Sequence, residues 1–166
     1  MTSQLRVDKI LPVDGAPTNG GGGIVQVQQT HKTDLFATST TATFQDITGF
    51  TVTITPKFTT SKILIMVHLT HQNNSAATIV YKLFRGSTEI GASTVDSGAT
   101  YTGIAGASYD ANRGAPVAFN FLDSPNTTSA TTYKLQVAHT GGAYRFNSRS
   151  GTWDCSSTIT AMEVSA

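Results

Sequence analysis

Lys62-Ile63-Leu64-Ile65-Met66-Val67-His68-Leu69-Thr70 is the stretch on which the reading of the fold turns. Ile63, Ile65, Val67 and Leu69 recur every second residue, the period of a strand with one buried face. The intervening positions are less ordinary. An antiparallel sheet with one wet face should alternate cleanly between apolar and polar, yet Leu64 and Met66 occupy the side that a free two-layer sandwich exposes. Leu64 and Met66 are therefore expected to be covered by a partner chain or by the N-terminal arm, as part of a subunit interface.

Outward from this strand the same period recurs. Thr51-Val52-Thr53-Ile54-Thr55 alternates strictly and stops at Pro56, and Ile24-Val25-Gln26-Val27-Gln28 is a first strand, with short pieces at Leu35-Phe36 and Phe44 to Ile47 between them. Thr78 to Arg85 turns at Gly86-Ser87 into Thr88-Glu89-Ile90, a hairpin signal. An irregular strand is expected near Thr100 to Ala107, within a Gly-, Ala- and Ser-rich stretch. Val117 to Leu122, Tyr133 to His139, Tyr144 to Phe146 and Thr158 to Val164 complete the set. Short strands separated by Gly, Pro and Asn turns, without a helical period, predict an all-β fold. A jelly-roll-like antiparallel β-sandwich is the specific expectation.

Ahead of the sandwich lies the run Gly20-Gly21-Gly22-Gly23, which carries no side chain to pack and suits a hinge. It divides the chain into an extended N-terminal arm over residues 1–23 and a β-domain over residues 24–166. In the arm Pro12 and Pro17 interrupt any helix, and Asp14-Gly15 marks a turn. Leu5, Val7, Ile10, Leu11 and Val13 make it more apolar than a solvated tail. Fully extended, the segment through Gly23 reaches on the order of 75 Å. An arm of this kind is expected to lie along a neighbouring subunit or to add a strand to an exposed sheet edge.

Composition narrows the function. The 166 residues suit one domain. Charged residues are 13%, with 11 Lys plus Arg against 10 Asp plus Glu, about half the usual proportion and scattered singly. A nucleic-acid binder needs a basic face to displace counterions from phosphates, and none is visible. Hydrophobic residues are 39%, and the longest apolar run, Ile63 to Val67, is far short of the roughly 20 residues of a spanning helix. No membrane association is expected. The N-terminus lacks the layout of a secretory signal, so a protein finished in the cytosol is expected, and the sequons at Asn73 and Asn126 read as loop polarity.

No motif carries catalysis. There is no nucleophile elbow, P-loop or dinucleotide glycine pattern, and the ten acids form no paired motif. The chain is read as a non-enzyme with no catalytic residues and no cofactor. His68 and His71, three apart, fall on opposite strand faces and cannot chelate together; no metal site is expected. Cys155 is the only cysteine, which excludes an intrachain disulfide and predicts a small buried residue. Trp153, Tyr144 and Tyr109 are the candidate glycan contacts, in the loops Trp153-Asp154, Tyr144-Arg145 and Tyr109 to Arg113.

Three stretches carry a resemblance. They are Leu5 to Ile10 leading through the glycines to Gly23-Ile24-Val25-Gln26-Val27, Phe121-Leu122-Asp123-Ser124-Pro125 running into Ala130 to Lys134, and Ser157 to Val164. In these the chain resembles small structural proteins, of decoration or fibre type, from marine and cyanobacterial tailed bacteriophages. The resemblance implies a virion protein assembled in the host cytoplasm, most simply a homotrimeric jelly-roll module. As a capsid decoration or cement protein it would be anchored by its arm to the major capsid protein. A receptor-binding head or tail fibre tip contacting host-surface glycan is the alternative.

Overall fold

In a computed structural model the described residues are 23–94, 99–149 and 152–165. Leu5, Val7, Ile10, Leu11 and Val13 of the arm, and Gly20, Gly21 and Gly22 of the hinge, lie outside them. Among the described residues thirteen strands are present: β1 (Ile24–Lys32), β2 (Phe36–Thr38), β3 (Gln45–Ile54), β4 (Lys62–Asn73), β5 (Ala77–Arg85), β6 (Thr88–Ile90), β7 (Ala105–Tyr109), β8 (Arg113–Asp123), β9 (Thr131–His139), β10 (Tyr144–Phe146), β11 (Ser148–Arg149), β12 (Trp153–Asp154) and β13 (Ser157–Val164). No helix occurs among the described residues.

Every pairing is antiparallel. One sheet, here sheet A, runs β1-β13-β4-β8, with β10 and β2 continuing it past the end of β13. Sheet B runs β3-β9-β5-β7, with β6 sharing the outer edge of β5. The chain thus crosses from A to B and back along β1, β3, β4 and β5, then repeats the crossing along β7, β8, β9 and β13. That is the double Greek key of a jelly roll.

The period-2 pattern sends one face of each sheet inward. Ile63, Ile65, Val67, Leu69, Ile159 and Ala161 from sheet A meet Val52, Ile54, Ile79, Tyr81, Leu83 and Leu135 from sheet B in one buried cluster. Phe50 and Phe146 close it edge to face at 4.9 Å.

Several strands differ from their sequence reading, each for a local reason. The pieces expected at Phe44 to Ile47 and Thr51 to Thr55 form one strand, because an interrupted register between Asp46 and Thr51 lets both halves pair with β9. Gly49 takes φ +76 there, a backbone state glycine adopts without strain. β8 begins at Arg113 and runs through Pro116; an edge strand tolerates the missing donor. The irregular strand lies later than expected, at Ala105–Tyr109. Cys155 is exposed rather than buried, since it falls between β12 and β13, where its amide donates to the Asn147 carbonyl (2.8 Å). Asn73, read as loop polarity, is wholly buried at the end of β4.

Polar side chains lock the two ends. Glu163, fully buried, accepts from Gln26 Nε2 (2.6 Å) and from the Lys57 and Phe58 amides (2.7 and 3.3 Å), tying the β3–β4 loop to β13. Burial alone would push its carboxyl up, but these hydrogen bonds outweigh it and hold the group below its ordinary value. Asp123 accepts from Arg85 Nη1 (2.8 Å) and from the Tyr133 hydroxyl (2.7 Å). Asn147, at φ 67, donates Nδ2 to the Lys32 carbonyl (2.8 Å) and accepts from Ser157 Oγ (2.5 Å).

Candidate functional site

Three regions depart from what a plain sandwich requires: the outer face of sheet A, a polar cavity at one end, and a histidine–tyrosine cluster beneath that cavity.

Register places the first. Val27 lies opposite Met162, Met162 opposite Leu64, and Leu64 opposite Leu122. Directly opposed residues of antiparallel strands share a face, so an apolar row crosses all four strands of sheet A. The next row is Gln29, Thr160, Met66 and Asn120. Val27, Met66 and Leu122 keep 49%, 44% and 48% of their surface exposed, while Leu64 and Met162 are half-buried by their neighbours. A groove of about 520 Å³ runs along this face between Met66, Met162 and Val27. The outward position expected for Leu64 and Met66 is the one they hold. Val27, Leu122 and Met162 escaped the sequence reading, although Leu122 and Met162 are likewise large apolar residues out of phase with the core positions of their strands.

The second region lies eight residues further along β4. Gln72 sits opposite Arg145 on one side and Gly114 on the other. Arg145, Arg149, Gln72, Asn74, Asn112 and Thr152 surround a cavity of about 290 Å³. Its walls are held in place: Gln72 donates Nε2 to the Asn73 carbonyl (2.7 Å), and Asn74 Oδ1 accepts the Ala143 amide (2.6 Å). Asn112, at φ 59, ends the turn into β8 and donates its amide to the Asn73 carbonyl (3.0 Å). The half-buried Trp153 lies against Gly114, where an added Cβ would come within 2.5 Å of the indole. Folding therefore brings Arg145 and Asn112, one residue from each of two loops singled out in the sequence, to one cavity, while Trp153 packs on Gly114 next to its lining residue Thr152.

Tyr144 corrects the sequence reading. It was a candidate glycan contact, but it points the other way from Arg145 and is fully buried. Strand alternation sends Tyr144, His71 and Asn73 into the core beneath the cavity floor. There the Tyr81 hydroxyl bridges His71 Nδ1 (2.8 Å) and the Tyr144 hydroxyl (2.9 Å). The Tyr144 ring is stacked between His71 and His139, with centroids at 5.8 and 6.0 Å. Tyr109, half-buried, meets His71 edge to face at 5.0 Å. Burial holds the His71 imidazole down to about 4 and raises the phenols of Tyr81 and Tyr144. His71 is thus a neutral core member, and His139 is buried beside it. His68 is exposed on the outer face of sheet A while His71 is buried, as a separation of three along a strand requires. Among the described residues no group of three or more His, Cys, Asp or Glu is placed to hold a metal.

No family model matches the chain, and no curated protein matches it. Solved structures of infectious bursal disease virus do. The structure of its Gx strain is 15% identical, with TM-score 0.48, covering all of this chain and 43% of that one. The T13 viral particle is 13% identical, with TM-score 0.46 over 85% of this chain and 36% of that one. The VP2 subviral particle is 14% identical, with TM-score 0.42 over 85% and 37%. The chain spans less than half the length of each. With TM-scores below 0.5, the jelly-roll assignment rests on the strand pairings themselves.

Proposed function

We propose that the chain is a non-enzymatic structural component of a virion, a homo-oligomer whose subunits meet through the outer face of sheet A. In its finer form the reading is a trimeric capsid decoration or cement protein whose N-terminal arm runs over neighbouring capsid subunits. The fold does not choose this function, since jelly rolls serve capsids, lectins and enzymes alike. The observation that carries it is the apolar row Val27–Met162–Leu64–Leu122, with Met66 beside it, on a face that an isolated sandwich would keep polar. The virion setting is supported by the resemblance of the two chain ends and of Phe121 to Lys134 to bacteriophage structural proteins. Scarce charge and hydroxyl-rich strands fit a protein seated against others.

Sedimentation of the full chain tests the interface. The protein is expected to sediment as an oligomer and Leu64→Asp/Met66→Asp as a folded monomer; an unaltered oligomer in the double variant overturns the assignment. Deleting Met1 to Asn19 is expected to leave the oligomer intact and abolish capsid binding, and normal binding by the truncated chain would refute the anchoring arm. A second reading, a glycan-binding fibre tip, has one observation in its favour, the open polar cavity at Arg145 and Arg149. Copy number per particle separates the two readings.

A further inference from the structure

We infer that the cavity between the β4–β5 turn, the start of β10 and the β11–β12 hairpin is a binding site for an anionic saccharide. Arg145 and Arg149 would grip its carboxylate or sulfate group. This rests on the glycan-binding reading for the kind of ligand. It is independent of the sheet-A interface, whose Met66 and Leu64 lie roughly 20 and 26 Å away along β4 at the rise of a strand.

The distribution of ion pairs points to the site. Among the described residues, every other cation that is buried or half-buried has a carboxylate: Lys32 with Asp34, Lys82 with Glu89, Arg85 with Asp123 and Lys134 with Asp46. The cations without one are otherwise exposed, at Lys57, Lys62 and Arg113. Arg145 and Arg149 alone combine partial burial with no ion pair, and they line the same cavity. Among the described residues neither guanidinium has an acceptor or is sealed from solvent, so both planar forks are free to meet a carboxylate or sulfate group that enters the cavity. No acidic residue is among those lining the cavity, so an anion entering it meets two guanidinium groups and no repelling carboxylate.

The remaining lining selects among anions. Gln72, Asn74, Asn112 and Thr152 bring amides and a hydroxyl, the groups that exchange hydrogen bonds with a hydroxyl-rich ligand. Gln72, almost fully buried, and Asn74 are fixed by their own hydrogen bonds, which lowers the ordering cost of binding. A cavity of about 290 Å³ exceeds the needs of a bare ion and sits at the small end of the range of ligand sites. A net charge of +1 with no basic stripe argues against a nucleic-acid backbone as the anion.

Calorimetric titration of the full chain tests this with 3′-sialyllactose, a heparin-derived tetrasaccharide, lactose, cellotetraose and sodium sulfate. The two acidic saccharides separate carboxylate from sulfate as the recognised group. At least one of them is expected to bind about tenfold or more tightly than the neutral sugars. Arg145→Ala and Arg149→Ala should each weaken that binding by a similar factor, and Arg113→Ala should not. Arg145→Lys keeps the charge without the fork and should fall short of wild type; it keeps the test decisive if the alanine variant unfolds. Three outcomes overturn the inference: no binding of either acidic saccharide, equal binding of neutral sugars, or full binding in the Arg145→Ala/Arg149→Ala double variant. Sodium sulfate binding as tightly as the saccharides would also overturn it, showing an ion site without sugar recognition. Leu64→Asp/Met66→Asp should bind the saccharide as wild type does, so failure of the interface and failure of this site read out separately.

Discussion

The two outer faces of the sandwich were built from similar strands and ended in opposite chemistry. On sheet B most outward residues are hydroxyl, amide or charged and satisfy one another across strands; Val80 and Phe84 are outward too, the first buried and the second half-buried. Thr53 meets Thr132 (2.7 Å), Thr78 meets Ser108 (2.9 Å), Asp46 takes Lys134 and Gln136, and Lys82 takes Glu89. The aromatic residues near that face carry cations, Lys82 over Phe44 at 4.5 Å and Lys134 over Phe84 at 5.7 Å. This is a surface finished for water. Sheet A instead sets Val27, Met162, Leu64 and Leu122 in one row and leaves three of its large apolar side chains about half exposed. The same backbone geometry that stabilises sheet B through paired polar groups offers, on sheet A, a surface whose burial awaits another chain.

The sharpest way to break this comparison is to truncate adjacent residues of β4. Ile65 is fully buried between the sheets, whereas Leu64 lies in the outer row. Ile65→Ala is expected to lower unfolding free energy by about 2–5 kcal/mol through lost burial and the cavity left behind. Leu64→Ala should cost the isolated subunit about 1 kcal/mol or less while weakening self-association. Denaturant unfolding at a concentration low enough to populate monomer, beside sedimentation, checks both. Equal losses would mean that Leu64 contributes to folding like a core residue, and the contrast between the faces would lapse.

Acid probes the inner side of sheet A. His71 ordinarily titrates near 6.5 and is held down to about 4 by burial. Between those values the unfolded chain binds a proton that the folded chain refuses, so stability falls as pH drops through that window, by roughly 3 kcal/mol in all. Glu163, held below its ordinary value of 4.5, keeps its contribution above that pH and loses it as pH falls through the folded value. His71→Gln, which retains an acceptor for the Tyr81 hydroxyl, should flatten the loss between pH 6.5 and 4 and leave the later step in place. An unchanged slope in urea titrations across that range would remove His71 from the account.

How far all this was legible follows from the range of the signals. Period-2 alternation in Lys62 to Thr70 and Tyr133 to His139 is local, so strand identity and the inward face could be read directly, and so could the outward placement of Leu64 and Met66. Pairing is not local. That Leu64 lies between Met162 and Leu122 depends on residues roughly 60 and 100 positions away, and only the folded sheet turns two odd apolar residues into a row. The end cavity was partly legible, because Tyr144-Arg145 and Tyr109 to Arg113 stood out as aromatic turns. Which of their residues face outward was misread at Tyr144, whose burial is set by the pairing of β10 with β4. Arg149 carried no sequence signal, since its meaning lies in the absence of a carboxylate that chain order cannot reveal.

The smallest expected effect belongs to the polar face itself. Lys134 Nζ stands 2.7 Å from Asp46 Oδ2 across β9 and β3, with Asp46 half exposed and its carboxyl held low chiefly by the Lys134 hydrogen bond. Solvent-exposed pairs gain little over two hydrated charges, so a double-mutant cycle with Lys134→Ala and Asp46→Ala should return a coupling of about 0.2–1 kcal/mol. The value should shrink at high salt, because water screens both partners. A larger coupling that persists in salt would mean that the pair is shielded from water, with sheet B covered as well. The interface would then have two sides, and the opposition between the faces would have to be given up.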